Sequence, residues 1–389
     1  MSGCRITLLH AYSRHNAGDG LLVDLSLRLI REALGERVRV TLVASDPPSF
    51  DGYHAVYPAP VIAQRGWWRV LACGTTLLSI PTRGACGLRR LLGASDMIVG
   101  VGGGYLRART MVEALKLQAG HLVQLRAAVE SGRPAIYLPQ SIGPVPAGHG
   151  SMQSRLADTL AYQLGALERV YVRDQRSLQW LANNANTSRA PDLAILELGR
   201  RLTGAETSFQ TGQPVRHVAM VLREAPAWSR ERREHYLRAI AQLIALLRRE
   251  CRVSFAVQSA VRGNDDTRFY RSLRIEPVGS LQDLLRTDRP DMVVSVRLHG
   301  ALESLLAGVP AYHLSYERKG FGAYEDLGLS NWVQNAAAFD PAVVLDTMLA
   351  RNAAERFQAC LIRRAAELNA QRHGMVQSLR DAGSRPAGR

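Results

Sequence analysis

The chain has 389 residues, 47% of them hydrophobic, and a formal net charge of +15. That length is too great for one ordinary α/β domain and suits two, each with a sizeable core. Five scattered cysteines (Cys4, Cys73, Cys86, Cys251 and Cys360) show no C-x-x-C spacing, which argues against a disulfide framework or a zinc site and fits a reducing cytoplasm.

The charge comes almost wholly from arginine, with lysine only at Lys116 and Lys319. Such a surface attracts polyanions, anionic lipid head groups or phosphorylated substrates, although genome composition also produces arginine richness. The basic residues form no single block, and no helix-turn-helix, zinc-finger or RNP-like signature is present, so nucleic acid is not the expected partner. The opening MSGCRITLLHAYSR turns polar too soon for a secretory signal. No apolar run is long enough to span a bilayer.

The first half alternates short β-rich runs with helical ones. Strands are expected at 6–10, 38–44, 96–104, 134–140 and 169–174. Helices are expected at Leu21 to Leu34, Met111 to Glu130, 151–166 and Ser177 to Asn183. Continuously apolar strands alternating with helices predict a parallel sheet covered on both faces. The polar, aperiodic stretch from Gly199 to Pro214 reads as an interdomain linker. The alternation then restarts, with strands at 216–222, 253–259, 291–297 and 309–316. Helices are expected at Arg230 to Arg249, 280–286, 299–308 and about Pro341 to Leu368, before a frayed basic tail, DAGSRPAGR.

The expected fold is therefore α/β with two Rossmann-like domains in a GT-B-like architecture. Residues 1–205 form the N-terminal domain and 206–340 the C-terminal domain. A helical segment at 341–375 packs back on the N-terminal domain.

Residues 65–92 break the pattern, pairing Trp67 and Trp68 with Arg65, Arg69, Arg83, Arg89 and Arg90 around an aliphatic patch. Two readings are open. Indoles and arginines suit a membrane interface with anionic head groups; amphipathic helices more often pack on a sheet.

Four places carry chemistry, and in open α/β sheets ligands bind beyond the carboxyl ends of the strands. Asn16-Ala17-Gly18-Asp19 follows the first strand; Asn16 or Asp19 caps a helix there, or Asp19 acts as a base near an acceptor hydroxyl. Gly100-Val101-Gly102-Gly103-Gly104 is neither a Walker loop nor a clean G-x-G-x-x-G, but a nest of its amides suits an anion or a sugar oxygen. Gln140-Ser141-Ile142-Gly143-Pro144 is a similar strand-end loop. Arg173 at the tip of a buried strand is either paired with an acid or aimed at an anionic ligand. Finally, Arg297 and His299 stand at a strand-to-helix turn. A helix N-terminus there already favours an anion, a guanidinium adds a bidentate clamp, and an imidazole carries a proton.

These segments together resemble the polysaccharide pyruvyl transferase family. The match rests on N-A-G-D at 16–19, G-G-G-Y at 102–105, L-P-Q-S-I-G-P at 138–144 and V-R-D-Q-R-S at 172–177. It continues with P-D-L-A at 191–194, S-V-R-L-H-G-A-L-E-S-L-L-A-G-V-P at 295–310 and S-Y-E-R-K-G-F at 315–321. The resemblance implies a cytoplasmic enzyme, peripheral at the inner face of the plasma membrane. It would transfer the enolpyruvyl carbons of phosphoenolpyruvate to a sugar of a surface polysaccharide or its lipid-linked precursor, without cofactor or metal. It makes residues 1–205 the acceptor side and 206–340 the donor side, and places Arg173, Arg297 and His299 at the donor, with Leu298 lining the site and Lys319 as a second phosphate contact. His299 and Asp19 become the catalytic candidates, and Asn16, Gly103, Gly104, Gln140 and Ser141 further substrate-binding candidates. A GT-B glycosyltransferase using a nucleotide sugar fits the same architecture but gives no reason for Arg-Leu-His at the donor helix. A non-catalytic glycan- or polyanion-binding protein would need the basic surface alone.

Overall fold

The computed structural model describes residues 3–61, 63, 64, 67, 71, 73–75, 82–108, 110–143, 145, 152–224, 228–261 and 264–385. Two compact units emerge. Unit 1 comprises residues 1–14, 19–193 and 373–389; unit 2 comprises His15–Gly18 and Ala194–Arg372.

Unit 1 is built on a seven-stranded sheet. In chain order its strands are β1 Arg5–Ala11, β2 Arg39–Ala44, β3 Val56–Pro58, β4 Met97–Gly100, β5 Ala135–Gln140, β6 Arg169–Val172 and β7 Thr187–Arg189. They lie in the order β3-β2-β1-β4-β5-β6-β7, and every neighbouring pair is parallel. The central strands β4 and β5 are buried at every position, as expected of a sheet covered by helices on both faces.

Unit 2 repeats the plan. β8 His217–Val221 and β9 Arg252–Val257 are followed by the two-residue strands β10 Ala260–Val261, β11 Asn264–Asp265 and β12 Gly279–Ser280. β13 Met292–Ser295, β14 Ala311–Ser315 and β15 Val333–Asn335 complete the set. The main sheet runs β12-β9-β8-β13-β14-β15, again parallel throughout. β8, β13 and β14 are buried along their whole length. The α/β class with two Rossmann-like domains is thus the observed one.

Several sequence expectations need correction. The expected linker from Gly199 begins inside helix α1 Leu193–Thr203. Its Glu197 is buried against Arg200 and Arg201, and Arg372 lies 3.6 Å away. A charge-rich surface run conceals that acid-centred network from a periodicity argument. The single helix expected from Pro341 is two, Pro341–Leu349 and α2 Ala353–Ser384, broken where Ala350 leaves the helical region at ψ 140°. α2 continues through most of the expected frayed tail, anchored by Arg380 on the carbonyl of Ala33 and by Arg385 on Glu168. The helix expected over Met111 to Glu130 contains a π-helical turn at Leu117–His121.

Of residues 65–92, Arg65, Trp68 and Arg69 lie outside the described residues. Trp67 is exposed, whereas helix Arg83–Gly93 buries Leu88 and Leu92 in the core. Among the described residues no helix is long and apolar enough to cross a membrane.

Burial also sets protonation states. His10 and His121 meet Nδ1 to Nδ1 at 3.3 Å. Burial, with the repulsion of His121, holds His10 well below its ordinary value. Burial takes His121 and His313 to about 4, and raises Glu303 to about 7.

The signs oppose each other. The depressed histidines contribute stability that is present above about 6.5 and lost as pH falls towards 4, because the unfolded chain then binds more protons. Glu303, raised above its unfolded value, contributes stability that is complete below about 4.5 and lost as pH rises through 7. Glu303→Gln is therefore expected to be more stable than the parent at pH 8, with the advantage disappearing as pH is lowered towards 4.5. Urea unfolding midpoints across that range check this, and a pH-independent difference would contradict it.

Candidate functional site

In unit 1 the Gly-rich loop, the strand-end loop after β5 and the end of β6 lock together. The amide of Val101 donates to Leu9 O at 3.1 Å and that of Gly103 to Pro139 O at 3.2 Å. Ser141 N donates to Gly103 O at 2.8 Å. The expected anion nest at Gly103 is therefore not formed by its own amide, which extends the sheet instead. Gln140 is fully buried beneath the loop. Its Nε2 donates to Val101 O at 2.9 Å and to the Tyr105 hydroxyl. It braces the loop through this nitrogen, while its Oε1 has no hydrogen-bond partner among the described residues.

Arg173 has an acid beside it. Its Nη1 pairs with Asp192 of the P-D-L-A segment, and its Nε donates to Ser141 Oγ at 2.9 Å. The guanidinium and Asp192 are both buried, so each neutralises a charge the interior would otherwise exclude. Gly104 lets Nη2 approach: a Cβ there would stand 3.3 Å from it. The next residue in the motif, Asp174, caps helix Gln175–Trp180 by accepting from Ser177 N at 2.9 Å. Ser177 Oγ in turn holds the amide of Ile142 at 2.8 Å. Two family-like segments thus secure each other. Asp19 lies half-buried in the first turn of helix Ala17–Leu34.

Unit 2 gathers the other candidates at the carboxyl ends of its strands. Arg297 ends the β13 turn and stands at the N-cap position of α3 Leu298–Leu306 without a side-chain cap bond. Ser295 Oγ clasps this turn, donating to Arg297 O at 2.7 Å and accepting from Arg297 N at 3.2 Å. The Arg297 guanidinium is buried and held side-on by Asp266: Nε lies 2.9 Å from both carboxylate oxygens and Nη2 pairs with Oδ1. Asp266 Oδ2 also accepts from Gln258 N at 3.1 Å and Ser259 N at 3.0 Å. Leu298 is buried and His299 half-buried at the first turn of the helix.

The segment His15–Gly18 groups with this unit. Asn16 bridges antiparallel to Ser259, Ala17 N donates to Gln258 O at 3.1 Å, and Ala260 N donates to His15 O at 3.0 Å. Gly18 is the shape requirement: a Cβ there would stand 2.7 Å from both the Cβ and Nδ1 of His299. Lys319 enters from α4 Arg318–Asp326 and pairs with Glu317 at 3.0 Å. Its neighbour Gly320 is equally constrained, since a Cβ would collide with Ser315 Oγ and His313 Nε2.

Within unit 2 the structure therefore brings Asn16, Gly18, Arg297, Leu298 and His299 to one set of strand ends; within unit 1 it joins Gly103, Gly104, Gln140, Ser141 and Arg173. Sequence reasoning missed Asp192 and Asp266, the carboxylates that hold the two arginines. Asp192 sat in a quoted motif. Asp266 lay in a segment with no recognisable pattern, so only the burial demand of Arg297 pointed to a partner. Also missed were Gln258 and Ser259. Both are buried, and the Nε2 of one and the Oγ of the other have no hydrogen-bond partner among the described residues. Such orphaned polar atoms are costly unless something satisfies them.

A family model described as polysaccharide pyruvyl transferase matches residues 16–318. The chain belongs to the polysaccharide pyruvyl transferase family, a family of enzymes. No curated protein matches the chain. Solved structures share its fold across nearly the whole length. HepE of Anabaena, in complex with UDP and glucose, is 16% identical, with 96% of this chain and 100% of that chain covered and a TM-score of 0.52. The UDP-GlcNAc 2-epimerase of Neisseria meningitidis, bound to UDP-GlcNAc, is 10% identical, with 96% and 99% covered and a TM-score of 0.52. The trehalose-6-phosphate synthase OtsA is 12% identical, with 96% and 98% covered and a TM-score of 0.51. At such identities the likeness is one of fold, the GT-B-like architecture of two Rossmann-like domains.

Removing Asp266 would leave the Arg297 charge and two amides buried without their acceptor. Asp266→Ala is expected to destabilise the protein by about 3–5 kcal/mol, measured by urea unfolding. A loss below about 1 kcal/mol, the range of exposed ion pairs, would mean that the pair is not buried as described.

Proposed function

We propose that the protein transfers the enolpyruvyl carbons of phosphoenolpyruvate to two hydroxyls of a sugar, forming a pyruvate ketal on a polysaccharide or its lipid-linked precursor. The observation that carries this reading is the β13–α3 turn. It joins a helix start without a side-chain cap, a carboxylate-oriented Arg297 and His299 in one unit, in a chain of the pyruvyl transferase family.

The chemistry asks for these groups. Phosphoenolpyruvate carries a carboxylate and a phosphate, so fixed donors and cations must receive it. A proton adds to the methylene carbon, which leaves oxocarbenium character on the adjacent carbon. One sugar oxygen bonds to that carbon and loses its proton. The carbon–oxygen bond to phosphate then breaks, and the second sugar oxygen takes its place and loses its proton. One methyl group, one ketal and inorganic phosphate result. His299, seated against Gly18, delivers the proton or stabilises the departing phosphate. Arg297, with its direction fixed by Asp266, receives an anionic group, and Lys319 is the second phosphate contact. Asp19 takes the hydroxyl proton, and Arg173 keeps the donor role that the family resemblance gives it. Residues 65–92 provide peripheral attachment to an anionic membrane, where a lipid-linked acceptor would be met.

The second reading is a glycosyltransferase using a nucleotide sugar. The UDP-bound fold relatives favour it, but only by analogy of fold. Calorimetry of the whole chain with phosphoenolpyruvate and with a panel of nucleotide sugars separates the two. Heat and thermal stabilisation from phosphoenolpyruvate alone is the expected result; binding of a nucleotide sugar instead would replace the proposal.

Two substitutions test the proton-handling role by phosphate release. His299→Ala is expected to lower turnover by on the order of 100-fold or more, with a smaller change in donor affinity. Gly18→Ala pushes the imidazole aside and is expected to lower turnover by on the order of 100-fold while His299 remains present. Unchanged turnover in either variant would remove His299 from the chemistry.

A further inference from the structure

Arg223 occupies the strand ends of unit 2 next to the turn just described, and no sequence motif marks it. It lies two residues beyond β8. The register pairs Val221 with Ser295 and Ser295 with His313, and Val296 N continues the ladder to Val221 O at 2.9 Å. Positions two residues further on, Arg223, Arg297 and Ser315, therefore come level on three adjacent strands.

From there Arg223 reaches across the end of β13. Its Nη1 donates to the Tyr316 hydroxyl at 2.5 Å, and its guanidinium carbon stands 4.7 Å from the centre of the Tyr316 ring. Its backbone is pinned by Tyr236, whose hydroxyl donates to Arg223 O at 3.0 Å. The stacked pair thus spans the strand that delivers Arg297 and His299.

Charge separates Arg223 from its neighbours. Arg297 is neutralised by Asp266 and Lys319 by Glu317. The adjacent acid, Glu224, offers Arg223 only its carbonyl, at 3.2 Å, while its carboxylate pairs with Arg233 at 2.7 Å. Among the described residues, Arg223 forms no ion pair. A guanidinium held rigid by an aromatic face and a hydroxyl, half-buried and not neutralised, is pre-organised for an anionic ligand.

We infer that Arg223 binds one of the two anionic groups of the donor, with Tyr316 as the positioning residue that aims it. The inference rests on the proposed phosphoenolpyruvate reading and extends it by naming the cation whose charge the protein leaves for the ligand.

The test is calorimetric titration of phosphoenolpyruvate into the full chain, Arg223→Gln, Tyr316→Phe and the exposed control Arg230→Gln, with melting temperatures recorded alongside. The dissociation constant is expected to rise by on the order of 10- to 100-fold in Arg223→Gln and by a few-fold in Tyr316→Phe, and to stay unchanged in Arg230→Gln. Unchanged affinity in Arg223→Gln, whatever its melting temperature, would reduce the stacked pair to a structural brace and overturn the inference. Should Arg223→Gln fail to fold, unchanged affinity in Tyr316→Phe overturns it equally.

If the parent chain does not bind phosphoenolpyruvate, the donor reading fails first. Titration of inorganic phosphate then decides the role of Arg223 separately. Binding that is lost in the variants retains it as an anion site; binding that persists, or no binding to the parent, removes it.

Discussion

A buried guanidinium at the end of a parallel strand cannot stand alone, and the geometry of unit 2 follows from how Arg297 meets that demand. Asp266 takes the charge side-on and, with the same carboxylate, accepts the amides of Gln258 and Ser259. One residue thereby fixes the direction of an arginine, the path of the chain leaving β9 and the start of a helix. Unit 1 uses the same solution with different parts, Asp192 holding Arg173 and Ser141 holding its Nε. Because ion pairs of this kind cost desolvation on both sides, they are better evidence of a fixed direction than of added stability.

Around these pairs, small residues set shape. Gly18 exists where a methyl group would occupy the space of the His299 ring, and Gly320 where it would occupy that of His313 and Ser315. His313 in turn uses its Nδ1 on Ser295 O at 2.8 Å, and Ser295 clasps the turn carrying Arg297. Tyr270 closes the other side. Its hydroxyl lies 2.8 Å from the carbonyl of Ala256 and receives the amide of Leu222 at 2.8 Å. The imidazole, the guanidinium and the first amides of α3 are therefore held by packing rather than by loop conformation, the condition under which hydrogen-bond donors act on developing charge without reorganising.

The proposed donor, with its two anionic groups, would meet a site whose own charges are partly balanced. Arg297 contributes direction more than net charge, since Asp266 already offsets it, and Lys319 is offset by Glu317. For that donor the net attraction would fall to groups outside these pairs and to the start of the helix. On the proposed reading, this division would let a chain of net charge +15 be selective: an excess of arginine attracts anions generally, while a few oriented donors would distinguish one of them.

The sequence by itself determined the two parallel sheets, because continuously apolar strands alternating with helices admit no other layering. It also determined the strand-end positions of Arg173, Arg297 and His299, because the strands leading to them are short and unambiguous. It left Arg173 balanced between an acid partner and a ligand, did not show that the Gly103 amide extends the sheet or that Gln140 braces the loop, and read Gly199 as the start of a linker. Those points turn on pairings between distant segments. Arg173 depends on Asp192, Gly103 on Pro139, Glu197 on Arg372 as well as on its own helix, and Arg297 on Asp266. Nor does any local pattern bring Arg223 to Tyr316 across an intervening strand. Periodicity reports which face of an element is buried; only the tertiary structure decides which buried charge meets which, because that depends on register between strands far apart in the chain.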